Sequence, residues 1–88
     1  MVTPEQVEAA VKAAGITRID HHNCICGYMT HYSVEDGRLF FHPGCNCGIW
    51  SPPEPRPWSD ASEWINMQSH EDVREKLMRA FGFELAPP

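Results

Sequence analysis

Two copies of Cys-x-Cys-Gly bracket a short hairpin-like stretch between His21 and Trp50, and no other feature of the chain constrains its fold as strongly. Between them lies Asp36-Gly37, a pair suited to the two-residue type I′ turn, in which both positions take positive φ. Residues 28–34 and 38–42 on either side are rich in β-branched and aromatic side chains, as strands require. With Asp36 and Gly37 as the loop, Glu35 faces Arg38, Val34 faces Leu39, Tyr32 faces Phe41 and His31 faces His42. An unbroken ladder would then set Cys26 opposite Cys47, and a bulge near Pro43-Gly44 would shift the lower pairs by one. In either register the hairpin brings Cys24, Cys26, Cys45 and Cys47 toward one volume, which is the arrangement of a metal site.

The rest of the chain is read around that hairpin as an α+β fold. A small antiparallel sheet of two or three strands is flanked by an N-terminal helix and one or two C-terminal helices. Thr3-Pro4-Glu5-Gln6 is a helix start, with Thr3 as N-cap, proline in the first turn and Gln6 placed to close a capping box. Val7, Ala10, Val11 and Ala14 follow at helical spacing and Gly15 is the stop, so the first helix occupies 1–15. Ile16 to His21 alternates imperfectly and reads as a strand entering the cysteine region, giving a core segment over 16–50. Four prolines between Ser51 and Trp58 exclude a helix or an inner strand, and 51–58 is expected to run as a stiff polyproline II connector. Asp60-Ala61-Ser62-Glu63 is a second capping-box pattern, for a helix ending near Gln68, and Ser69-His70-Glu71-Asp72 is a third. Val73, Leu77, Ala80 and Phe81 form the apolar stripe of the last helix, with Gly82 as its C-terminal cap. The helical part thus spans 59–83, followed by a flexible tail over 84–88, and 1–88 forms a single domain.

A chain of 88 residues buries a small fraction of its surface, so a metal staple would contribute substantially to its stability. No basic region followed by an apolar run opens the sequence, which implies reduced thiols and a cytoplasmic setting. No apolar stretch approaches the roughly 20 residues needed to span a bilayer. The net charge of −5, with basic residues scattered rather than clustered, speaks against nucleic acid as a partner. It is compatible with a protein partner.

The two halves of the core repeat, Asn23-Cys24-Ile25-Cys26-Gly27-Tyr28 against Gly44-Cys45-Asn46-Cys47-Gly48-Ile49. A repeated Cys-x-Cys-Gly joined by a hairpin resembles the zinc-ribbon and rubredoxin-knuckle families, whose knuckles are Cys-x-x-Cys-Gly. The resemblance implies Zn²⁺ held by Cys24, Cys26, Cys45 and Cys47, with thiolate–zinc distances of about 2.3 Å. Each knuckle here is one residue shorter. His22 and His42 lie close to the cysteines in sequence, and either can replace a cysteine that points away. A disulfide between Cys26 and Cys47, dithiol redox chemistry, and free buried thiols are the other chemistries open to the same residues. The order of a histidine-flanked Cys-x-Cys-Gly, a hairpin and Pro-Gly-Cys-x-Cys also resembles small proteins of bacteriophages and prophages. That resemblance implies a cytoplasmic accessory protein in a bacterial host and no specific activity. Together these features imply a zinc-stabilised, non-enzymatic module that binds a host protein. A nucleic-acid-binding zinc ribbon and a small metal-dependent or thiol enzyme are the alternatives.

Overall fold

The computed structural model describes residues 1–22, 29–45, 48–49 and 52–85. Its elements are α1 (Pro4–Ala14), β1 (Arg18–His22), β2 (Met29–Glu35), β3 (Arg38–His42), β4 (Gly44–Cys45), β5 (Gly48–Ile49), β6 (Glu54–Arg56), α2 (Trp58–Asn66) and α3 (Glu71–Ala80). Four strands form an antiparallel sheet in the order β1-β2-β3-β6, and β4 pairs with β5 separately, so the fold is α+β. The chain divides into a helical unit, Met1–Ile16 with Pro57–Pro88, and a sheet unit, Thr17–Arg56. None of the helices among the described residues is long and apolar enough to cross a membrane.

In the sheet unit the turn sets the register. Asp36 and Gly37 take φ of 52° and 74°, the two positive values a type I′ turn demands. The pairs Glu35↔Arg38, Val34↔Leu39, Tyr32↔Phe41 and His31↔His42 follow as the turn geometry requires. Valine at position 37 is expected to cost about 1–2 kcal/mol, because a β-branched residue strains the left-handed conformation. Amide chemical shifts along β2 and β3 measure this, and native shifts in Gly37→Val would show that the turn does not depend on glycine.

β3 ends at His42, immediately before Pro43. Gly44 and Cys45 then pair with Ile49 and Gly48, so the second Cys-x-Cys-Gly doubles back on itself. The expectation of one long hairpin reaching both cysteine pairs is corrected to that extent. Cys26 and Cys47, whose pairing it set, lie outside the described residues.

The proline-rich segment also departs from expectation, since 54–56 is an edge strand rather than a polyproline connector. The register explains why a proline is tolerated there. In a two-residue hairpin the pair beside the loop exchanges hydrogen bonds, so Ser33↔Phe40 and His31↔His42 also bond between β2 and β3. Leu39 and Phe41 consequently direct their backbone groups toward β6, where Arg56 and Glu54 answer them. Pro55 falls between these two, opposite Phe40, where no donor is required. Arg56 adds a side-chain contact: its guanidinium lies 5.4 Å from the centre of the Phe41 ring, and it donates to Glu54 at 2.9 Å. Among the described residues Ile19, Tyr32 and Leu39 are buried in this sheet, and Tyr32 and Phe41 pair across strands with ring centres 5.5 Å apart.

In the helical unit α1 forms as read, with the reciprocal Thr3–Gln6 capping box and Pro4 in the first turn. Gly15 takes φ +67°, and Ile16 N–H returns to Val11 O at 3.1 Å, so Ile16 belongs to the helix end and β1 starts only at Arg18. α2 begins at Trp58, two residues before the expected Asp60 cap, because extended Pro57 already accepts from Asp60 N–H at 3.0 Å. Asp60 lies in the first turn, where the helix dipole favours its charge. α3 starts after His70 without a side-chain cap. Val7, Val11, Ala61, Ile65, Leu77 and Phe81 form the core of this unit, and Trp64 meets the Phe81 ring edge-on with centres 6.0 Å apart. Val73, expected in the apolar stripe, is 37 % exposed.

A clamp that the sequence does not announce closes this unit. Asn66 accepts from Val2 N–H at 2.9 Å and donates to Val2 O at 2.8 Å, so one amide satisfies both backbone groups of a residue 64 positions away. Asn66→Ala is expected to cost about 1–3 kcal/mol, the sum of two ordinary partly buried hydrogen bonds. The shift in urea midpoint measures it, and an unchanged midpoint would mean that the clamp does not contribute.

Candidate metal centre

β1 and β3 run the same way and both end beside the start of β2, because β1 pairs with β2 and β2 with β3 in antiparallel register. The pairs at this end are His22↔Met29 and His31↔His42. The segment 23–28, which contains Cys24 and Cys26, joins His22 to Met29. The second cysteine pair leaves β3 at the same end, with Cys45 three positions beyond His42 in sequence. The attachment points of both Cys-x-Cys-Gly stretches therefore share one end of the sheet.

Cys24, Cys26 and Cys47 lie outside the described residues, and Cys45 is located by its backbone in β4, paired with Gly48. His22 is the last residue of β1. His42 is half-buried and shares a 2.7 Å hydrogen bond between its Nε2 and Ser33 Oγ. Ser33 lies nearer the turn than His31, the residue opposite His42, so the Nε2 edge of the ring is engaged on the side away from the cysteines.

Ser33 was not evident as a functional residue from the pattern of the sequence. Its signal is the register itself: once His31 faces His42, Ser33 is the diagonal neighbour of His42 on the same face of the sheet. That face also carries Arg18 and Asp20 of β1, and Arg18 Nε donates to both Asp20 carboxylate oxygens at 3.2 and 3.1 Å. Among the described residues no three histidine, cysteine, aspartate or glutamate side chains converge as a metal group.

No family model, curated protein or solved structure matches the chain.

Proposed function

We propose that this chain is a zinc-stabilised module that binds a protein partner, acting in a bacterial cytoplasm as a phage or prophage accessory protein. The observation that supports the zinc reading most strongly is the common end of the sheet from which both cysteine pairs depart. Cys24, Cys26, Cys45 and Cys47 would hold the ion, and four thiolates are the donor set of a closed structural zinc site. The ion would tie the 23–28 connection to the β4–β5 reversal, and in so small a chain that tie would contribute much of the folding free energy. An acidic surface, with net charge −5, directs the binding role toward protein rather than nucleic acid.

Elemental mass spectrometry on untagged protein, with thiol titration before and after denaturation in chelator, tests the reading. One zinc per chain, with four thiols released only by chelation, is the expected result. Four thiols titrating without metal, or none titrating at all, would overturn it. Salt-dependent binding to DNA or RNA would move the module to the nucleic-acid class.

A further inference from the structure

β6 ends the order of the four-stranded sheet, and its outer edge carries no N–H donor. From Pro52 to Pro57 the chain reads Pro-Pro-Glu-Pro-Arg-Pro, so Glu54 and Arg56 have the only backbone N–H groups within it. Both are turned toward β3, where they face Phe41 and Leu39, the residues whose backbone groups point away from β2. Pro55, between them, directs its carbonyl outward with no N–H to accompany it. Pro57 is extended, and its carbonyl already accepts from Asp60 N–H at 3.0 Å. The segment is nonetheless open to solvent, since every residue from 52 to 57 is exposed. An exposed terminal strand ordinarily offers donors and acceptors in a row, and these are what a further strand pairs with.

We propose that these prolines close the β6 edge against pairing with a second copy of this chain, a device that stops the sheet from continuing out of one molecule into the next. The strand itself shows why a closure matters there. Glu54 and Arg56 carry opposite charges on either side of Pro55. An antiparallel pairing of two β6 strands about a two-fold axis at Pro55 would set Glu54 of each copy against Arg56 of the other, an opposite-charge match made twice. In that register residue 55 would exchange N–H···O=C bonds with its counterpart, and residues 53 and 57 would exchange them with each other. Proline at 53, 55 and 57 removes every one of those donors. The outward carbonyls would meet no donor, and an acceptor taken out of water without one opposes association. The device operates whether or not the cysteines hold zinc.

Analytical ultracentrifugation of the untagged full chain over a concentration series, in reductant so that thiols do not cross-link, tests the proposal on Pro53→Thr combined with Pro55→Thr. Threonine suits a strand, supplies the missing N–H and adds no apolar surface. The double variant is expected to self-associate at least about tenfold more tightly than the native chain, as a few net hydrogen bonds between copies allow. Glu54→Thr is the matched control, because its N–H is turned toward β3 and no outward donor is gained; it should sediment as the native chain does. Circular dichroism establishes that each variant is folded. Pro55→Thr alone, which restores one donor per copy at the two-fold axis, is expected to shift association in the same direction by less, and it decides the matter should the double variant not fold. A folded variant of either kind that sediments as the native chain overturns the proposal. Equal association of Glu54→Thr would overturn it too, since strand propensity or lost charge, rather than the donor, would then be the cause.

Discussion

Gly82→Val is expected to destabilise the helical unit by about 2–5 kcal/mol, which at the stability usual for so short a chain leaves little of it folded. Two independent costs combine. Gly82 sits at φ +93°, a conformation that costs a side-chain-bearing residue about 1–2 kcal/mol. Its N–H bonds to Arg79 O at 3.0 Å and Phe83 N–H to Met78 O at 3.1 Å, the paired bonds of a Schellman helix end, so the conformation cannot relax without releasing both. The second cost is steric. A Cβ at position 82 would lie 2.8 Å from Ala10 O, 2.8 Å from Ala14 Cβ and 3.1 Å from Ile16 Cδ1. Ala10 O is backbone of α1 and cannot rotate away, and overpacking of this kind adds about 1–3 kcal/mol. Gly15 is the internal control, with φ +67° and nothing within 4 Å of an added Cβ. Gly15→Ala should therefore show the conformational cost alone, about 1 kcal/mol. Urea unfolding followed by tryptophan fluorescence compares the two. Equal losses would mean that the close approach of the α3 end to α1 carries no energetic weight.

Cys45→Ser is the second large effect, and it depends on the zinc reading. Structural zinc contributes about 10–16 kcal/mol of apparent binding free energy in small zinc-finger peptides, where binding and folding are one event. Serine is nearly isosteric with cysteine but a poor zinc ligand, so the substitution isolates ligation from packing. A loss of even 3 kcal/mol lowers the melting temperature of a domain this size by roughly 12–24 °C. The native protein in excess chelator should reproduce the fall, and chelator should then have no further effect on Cys45→Ser. A variant that melts with the native protein and still binds one zinc would remove Cys45 from the ligand set. A melting point insensitive to both substitution and chelator would leave the cysteines as ordinary buried thiols.

The proposed cysteine centre rests on residue types and spacings alone, since repeated Cys-x-Cys-Gly around an Asp-Gly turn is a one-dimensional pattern, and three of its four cysteines lie outside the described residues. Its attachment geometry was legible in part. The type I′ turn carries the register from Glu35↔Arg38 to His31↔His42 without other information, because side chains alternate strictly along a strand. Beyond His42 the rule fails, since Gly44-Cys45 finds its partner in Gly48-Ile49. A bulge and a local reversal differ little in local propensity, so neighbouring sequence does not choose between them.

What the sequence by itself determined is what short-range physics controls. The Thr3–Gln6 capping box, the stops at Gly15 and Gly82 and the positive φ values of Asp36 and Gly37 each depend on residues within a few positions of one another. So does the α+β character, which follows from helical periodicity at both ends and β-branched and aromatic runs in the middle. Only the tertiary structure decided that 54–56 joins the sheet, that Asn66 clamps Val2, that Val73 is exposed, and that Ser33 holds His42. The prolines of 51–58 forbid an inner strand but are silent about an edge, where Pro55 needs no donor. Asn66 and Val2 are 64 positions apart, and a hydrogen bond across that distance is set by how α1 and α2 pack rather than by either residue's own preference. Contacts of this kind arise only once the chain has closed, because the closure entropy is offset collectively by the core and not by any one pair.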